Sequence, residues 1–268
     1  MIFGDMERGT VIFLDSGIGG LPYGGYFHER NRGVDILCVA DRANFPYGPK
    51  KKEELVELLR GLTEQLVDRW HPAVLALACN TASVSALGEL REFFPGLPIV
   101  GTVPAVKPAV LESKTRRIGV LGTERTVADP YIAALGARYG PDCSIWGEAA
   151  PDLVEFVEHR YAGAAPGERL GAVIPWVEKF RAAGADAIVL GCTHFLLLRE
   201  EFAKAAAGIS IHDSLEGVCR RIEELLEAAG GPAASPRKGR AELALTGGAP
   251  PEPYWGHWAE HFGLRLVP

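Results

Sequence analysis

The sequence predicts an α/β fold built from two similar three-layer αβα lobes with mainly parallel sheets. Three observations carry that expectation. Short apolar, β-branched runs alternate with longer segments of helical period, the pattern of strands joined by covering helices. The pattern restarts in mid-chain, near Arg117. Two of the runs end in near copies of one motif: Leu75-Ala76-Leu77-Ala78-Cys79-Asn80-Thr81 and Ile188-Val189-Leu190-Gly191-Cys192-Thr193-His194.

Taken in order, Thr10 to Leu14 is short, apolar and β-branched, and reads as a buried strand. The turn Asp15-Ser16-Gly17-Ile18-Gly19-Gly20 follows, then a helix to about Asn31. Val34 to Ala40 is the next strand, and Arg42 to Pro49 is a loop broken by Asn44, Pro46 and Gly48. Lys50 to Trp70 places Leu55, Leu58, Leu59, Leu62 and Leu66 on one helical side. Ala73 to Ala78 is a strand, Thr81 to Phe94 a helix and Pro98 to Gly101 a strand.

After the restart, Arg117 to Leu121 is a strand, with one helix from Thr123 to about Tyr139. Ser144 to Trp146 is a short strand, and Pro151 to His159 and Leu170 to Ala183 are helices. Asp186 to Leu190 is a strand, Phe195 to Ala207 a helix and Ile209 to His212 a strand. Leu215 to Ala228 carries an apolar stripe at Val218, Ile222, Leu225 and Leu226. Gly230 to Gly239 is a loop rich in Gly, Ala, Pro and Ser. Glu242 to Thr246 is a last strand, and Pro253 to Phe262 a last helix.

Asp15 and Gly122 end corresponding strands, and so do Cys79 and Cys192. Facing lobes would set the two thiols on opposite walls of an interlobe cleft, so the active site is expected there.

Composition narrows the function classes. The 268 residues are 47% hydrophobic and 23% charged, with a net charge of −6. That is ordinary for a globular protein and gives no basic surface for nucleic acid. Lys50-Lys51-Lys52 runs directly into Glu53-Glu54, which marks a solvated helix start. No secretory signal is visible, and no apolar run reaches the roughly 18 residues of a membrane span. The five cysteines, Cys38, Cys79, Cys143, Cys192 and Cys219, are odd in number and widely spaced. A reduced, cytoplasmic protein without disulfides or membrane contact is expected.

Cysteine at a strand–helix junction lies near a helix N-terminus, whose partial positive charge favours the thiolate. Such a thiol can serve as base or nucleophile, or simply as a small buried hydrophobe. The second reading is applied to Cys38, Cys143 and Cys219, whereas the matching positions of Cys79 and Cys192 favour chemistry. Asp15 can hold or relay a proton near Cys79, and Ser16 stands beside it; both also fit an N-cap turn. Tyr47 and Gly48 can close over a ligand or form a plain Pro-Gly loop. Asn80, Thr81, Thr123, Thr126 and Thr193 can bind a carboxylate, and each is also a fitting helix cap. His194 can act as acid, base or orienter beside Cys192.

These motifs resemble the cofactor-independent aspartate/glutamate racemase superfamily. The matching residues are Asp15 to Gly20, Pro46-Tyr47-Gly48, Ala78 to Ala82 and Leu190 to His194. Thr123 with Thr126, Leu153 to Glu158 and His212-Asp213-Ser214 support them, in family order through most of the chain. Ala150-Pro151 departs from the family's cysteine-proline pair, and Lys51 stands where a serine often follows. The resemblance implies interconversion of L- and D-glutamate by two-thiol proton transfer, supplying D-glutamate for peptidoglycan. It implies that Cys79 deprotonates the D-enantiomer and Cys192 the L-enantiomer. Asp15 would assist Cys79, and His194 with Glu158 would assist Cys192. Ser16, Tyr47, Gly48, Asn80, Thr81, Thr123, Thr126, Thr193 and His194, with Asp15, would hold the substrate. No cofactor and no metal are expected, and family members are often homodimers. The resemblance also implies a first lobe from 1–102 plus 213–268 and a second from 103–212.

Rival readings remain open. Another small acidic or cyclic substrate (aspartate, hydantoin, maleate) would suit the same superfamily, whereas a decarboxylase would keep one cysteine. A metal or redox protein would need paired ligand spacing such as C-x-x-C, which is absent from the sequence. A non-enzymatic two-lobe binding protein would be expected to carry a secretory signal.

Overall fold

The computed structural model describes residues 9–230 and 238–267. The chain divides into two compact units, the first holding the described residues up to Thr102 and from Leu215 onward, the second Val103–Ser214.

In the first unit, β1 (Val11–Asp15), α1 (Leu21–Arg30), β2 (Ile36–Ala40), α2 (Lys52–Trp70), β3 (Val74–Leu77), α3 (Asn80–Phe93) and β4 (Ile99–Gly101) alternate. The second contains α4 (Val106–Glu112), β5 (Arg117–Gly122), α5 (Glu124–Ala128), α6 (Pro130–Tyr139), β6 (Ser144–Ala149) and α7 (Pro151–His159). It continues through α8 (Pro166–Ala182), β7 (Ala187–Gly191), α9 (Arg199–Ala205) and β8 (Ser210–His212). The chain returns to the first unit as α10 (Leu215–Ala228), β9 (Ala241–Leu245), α11 (Pro253–His261) and β10 (Arg265–Val267).

The two sheets have orders β10-β9-β2-β1-β3-β4 and β6-β5-β7-β8. Every pairing in them is parallel. The order β2-β1-β3-β4 in one is repeated as β6-β5-β7-β8 in the other, which is the mid-chain restart seen in the sequence.

The central strands β1, β2, β3 and β7 are buried at every position and apolar up to their ends because both faces are covered. In the first sheet, Ile12, Leu14, Leu37, Val39, Leu75 and Leu77 pack with Leu55, Leu59, Leu66 and Trp70 of α2. Ala82, Ala86 and Leu90 of α3 complete that layer. The intervening residues face α1, where the rings of Phe13 and Phe27 lie 5.6 Å apart. Gly24 is required there, since a Cβ would stand 2.2 Å from Cys38 Sγ.

In the second unit, Ile118, Val120, Ala187 and Val189 pack with Val106, Ala109 and Val110 of α4 and Ile132 of α6. Phe180 of α8 lies against Gly119 of β5, where a Cβ would approach its Cδ1 to 2.1 Å. At the start of β7, Asp186 ties down the turn after α4. Its Oδ1 accepts from Ser113 Oγ at 2.6 Å, and its Oδ2 from the Lys114 and Thr115 amides at 2.6 and 2.7 Å.

Several boundaries differ from the sequence reading. The helix expected from Thr123 to Tyr139 is two helices, broken where Asp129 caps α6 and precedes Pro130. The helix expected from Phe195 begins as a 3-10 turn over Thr193–Leu198, and α8 starts at Pro166 instead of Leu170. The strand at Ser144 runs on to Ala149, while α4 and β10 were not anticipated. The loop expected from Gly230 to Gly239 falls largely outside the described residues. Among the described residues no helix is long and apolar enough to cross a membrane.

Two stability outcomes follow from this packing. Gly119→Ala should destabilise the protein by about 1–3 kcal/mol through overpacking, read as a lower urea midpoint, with partial relief by Phe180→Leu. Asp186 is opposed by burial, but its three donors win and hold its carboxyl at about 2. Its contribution is present above the ordinary carboxyl value of about 4 and is lost as pH falls toward about 2. Asp186→Asn should therefore cost about 1–2 kcal/mol at neutral pH, and the gap to the parent should close on acidification.

Candidate functional site

Polar side chains collect where the strands end. In the sheet order β2-β1-β3-β4, the chain leaves β1 to one side and returns as β3 on the other. The ends of β1 and β3 therefore flank a switch point, the place where α/β sheets leave a crevice for ligands. Asp15 ends β1, and Cys79 follows β3. In the second sheet Gly122 ends β5 and Cys192 follows β7, the corresponding pair.

The two cysteines match in backbone as well as in position. Cys79 N-caps α3 with φ −144 and ψ 119, and Cys192 N-caps its 3-10 turn with φ −139 and ψ 134. Each is 5% exposed. Cys79 also borders the apolar layer beneath α2 and α3.

Around Cys79 the neighbours are acidic and amidic. Asp15 is buried, and its Oδ1 accepts from the Ser16 amide at 2.6 Å and from Ser16 Oγ at 3.3 Å. Gly20 lies so close that a Cβ would meet Asp15 Cβ at 2.8 Å. Asn80 Nδ2 donates to Thr102 O at 3.4 Å, while its buried Oδ1 has no hydrogen-bond partner among the described residues. Such an orphaned acceptor is costly unless a ligand or water supplies a donor. Thr81 is buried in the first turn of α3.

Tyr47 is buried, and Gly48 beside it is half-buried. The Tyr47 hydroxyl donates to Asp41 Oδ2 at 2.6 Å. Burial first, then the charges of Asp41, Cys79 and Asp15, push the phenol well above its ordinary value. Its hydroxyl proton is thus committed to Asp41, a residue to which the sequence reading gave no role. The signal was available, since Val39-Ala40-Asp41 repeats the apolar run and terminal aspartate of Phe13-Leu14-Asp15.

Around Cys192 the arrangement is a three-residue chain. His194 Nδ1 lies 3.9 Å from Cys192 Sγ, and its Nε2 lies 2.8 Å from Glu158 Oε2. Glu158 comes from α7, and all three residues are buried. Burial opposes a charged imidazole, yet the bonds to Cys192 and Glu158 outweigh it and raise His194 well above its ordinary value. The protonated ring donates from both nitrogens, one to the sulfur and one to the carboxylate. Thr193 is buried in the same turn.

Thr123 caps α5, its Oγ1 accepting from the Thr126 amide at 3.2 Å and donating to Thr126 Oγ1 at 3.0 Å. The cap reading of Thr123 is thus observed. The structure brings together Cys192, His194 and Glu158, Asp15 and Ser16, and Thr123 and Thr126. Cys38 and Cys219, assigned to the core, are buried, and burial raises both thiols, Cys219 to about 12. Cys143 is only half-buried. No cluster of three or more metal-ligating side chains occurs among the described residues. A surface cleft of about 510 Å³ lined by Arg30, Asn31, Glu223, Leu226 and Glu227 contains none of the strand-end residues.

Known proteins share this arrangement of sequence and fold. Residues 29–222 match the model of the Asp/Glu/Hydantoin racemase family. A glutamate racemase from Treponema pallidum (strain Nichols) is 38% identical over 262 residues, covering 97% of this chain and 96% of that protein. One from Sphingopyxis alaskensis is 41% identical over 226 residues, covering 83% of this chain and 84% of the relative. The solved Escherichia coli glutamate racemase, in complex with L-glutamate and the activator UDP-MurNAc-ala, superposes with a TM-score of 0.81. It is 30% identical, with 97% of each chain covered. With the family model spanning most of the chain and near full-length relatives at this identity, the chain belongs to the Asp/Glu/hydantoin racemase family.

Proposed function

We propose that this chain is a glutamate racemase that interconverts L- and D-glutamate without a cofactor, supplying D-glutamate for peptidoglycan. The observation that carries this reading is the matched placement of Cys79 and Cys192 after the third strands of two like sheets. The glutamate racemases among its relatives support the substrate.

In this mechanism both thiols address one α-carbon from opposite faces. The Cys79 thiolate removes the α-proton of D-glutamate, and the Cys192 thiol delivers a proton to the other face. The roles reverse for L-glutamate. Asp15 assists proton handling at Cys79. The His194 imidazolium, held by Glu158, stabilises negative charge on the Cys192 sulfur.

A positioned base contributes roughly 10²–10⁴-fold, far less than an amino-acid α-proton requires. Fixed donors must stabilise the charge that develops next to the carboxylate. Asn80 and Thr81 at the start of α3, with Thr123, Thr126 and Thr193, are assigned to the substrate carboxylates. Asp15, Ser16 and the unpaired Asn80 Oδ1 are assigned to the ammonium group. The Tyr47–Gly48 backbone edge and His194 complete the substrate contacts.

Incubating either enantiomer in D₂O without added cofactor should give α-deuterated glutamate and loss of optical rotation. Absence of exchange from a folded protein would refute the assignment. Cys79→Ser and Cys192→Ser should each lower racemisation by about 10²–10⁴-fold; normal activity in either would exclude the two-thiol scheme. The equilibrium constant of a racemisation is unity, so kcat/KM must fall equally in both directions.

The pH profile tests the His194 assignment. The bond to Glu158 helps keep His194 protonated, so Glu158→Gln should move the alkaline limb of kcat/KM to lower pH. A profile unchanged from the parent would remove Glu158 from the mechanism.

A further inference from the structure

Asp41 is fully buried just after β2, and its carboxylate is held by donors from its own turn and from one distant segment. Tyr47 Oη donates to Oδ2 at 2.6 Å, and Asn44 Nδ2 lies 3.0 Å from both oxygens. The third donor, Thr246 Oγ1, reaches Oδ1 at 2.5 Å from the residue just after β9.

Thr246 is itself fixed. Its amide donates to Ala40 O at 3.1 Å, and its hydroxyl oxygen accepts from the Ala43 amide at 3.1 Å. The segment beyond it grips the outside of the same turn. Arg42 donates to Ala249 O at 2.6 Å, Pro250 O at 3.2 Å and Glu252 Oε2 at 3.1 Å. Gly247 allows this approach with φ +92, and a Cβ there would stand 3.4 Å from Ala43 Cβ.

A hydroxyl bonded to a carboxylate is stronger than a neutral pair, and a buried carboxylate deprived of a donor is strongly penalised. Donors from separate segments set the carboxylate's rotation about its Cα–Cβ and Cβ–Cγ bonds. The carboxylate in turn sets the direction of the Tyr47 hydroxyl and ring, from which the Gly48 backbone follows.

We infer that Thr246 is a positioning residue that fixes the Asp41–Tyr47 pair, and through it the Tyr47–Gly48 edge. It touches no substrate. For its effect on turnover the inference rests on the glutamate racemase reading; for the anchoring of Tyr47 it does not.

Thr246→Val keeps the shape while removing the hydroxyl, and Thr246→Ser returns the hydroxyl. In Thr246→Val the KM for both glutamate enantiomers should rise about tenfold with a smaller change in kcat. Thr246→Ser should stay within about twofold of the parent. In a Tyr47→Phe background the effect of Thr246→Val should shrink to less than about twofold, because the hydroxyl through which it acts is gone. Amide hydrogen exchange without substrate should accelerate over residues 42–48 in Thr246→Val and not in Thr246→Ser.

Unchanged KM in Thr246→Val, or full additivity with Tyr47→Phe, would overturn the inference. So would unchanged exchange over residues 42–48. A folded parent that fails to turn over glutamate defeats the functional reading instead, and the exchange comparison then decides the anchoring on its own.

Discussion

A strand buried on both faces carries polar groups only where they find partners, and this constraint shapes both units. The central strands β1, β2, β3 and β7 are buried at every position. Because the pairing is parallel, each sheet's strands end on the same edge. Asp15, Asp41, Cys79, Thr123 and Cys192 all stand at or just beyond those ends. The repeated strand order then decides which ends adjoin a gap.

The two cysteine environments share geometry but differ in electrostatic character. Beside Cys192 stands an imidazole whose protonated form is favoured by its bonds to sulfur and to Glu158. On the Cys79 side stand buried carboxylates, Asp15 and Asp41, with the second bonded to the Tyr47 phenol. A reaction that is symmetric in its equilibrium can thus be served by unlike groups. The equilibrium ties only the ratio of kcat/KM in the two directions, and leaves open how each side of such a site handles its proton.

The layered fold was legible because apolar runs and helical periods alternate, and because the cysteine motif recurs. Local interruptions were less so. Asp129-Pro130 is a readable break, but the apolar pattern on either side suggested one helix through it. β10 is three residues long, too short for any period to show, and exists by pairing with β9. In the candidate site, the residues within one motif were legible as a group: Cys192 with His194, and Asp15 with Ser16. The bond between His194 and Glu158 joins α7 to a turn after β7, and nothing in residue spacing encodes it. Family resemblance, not periodicity, brought Glu158 forward. Asp41 and Thr246 lacked that help, since their partnership exists only once β9 is laid beside β2.

Gly20 offers a different kind of handle. Its φ of −79 is open to any residue, so the position is constrained by space and not by backbone strain. The first atom of any side chain there would press on Asp15 Cβ at 2.8 Å, with Ala78 Cβ behind it at 3.4 Å. A methyl group at this point would shift a carboxylate by a fraction of its own length and leave its charge intact. Most changes near an ionisable group alter its chemistry and its place together. Here the protein supplies a mechanical adjustment screw for the position of the buried Asp15 carboxylate.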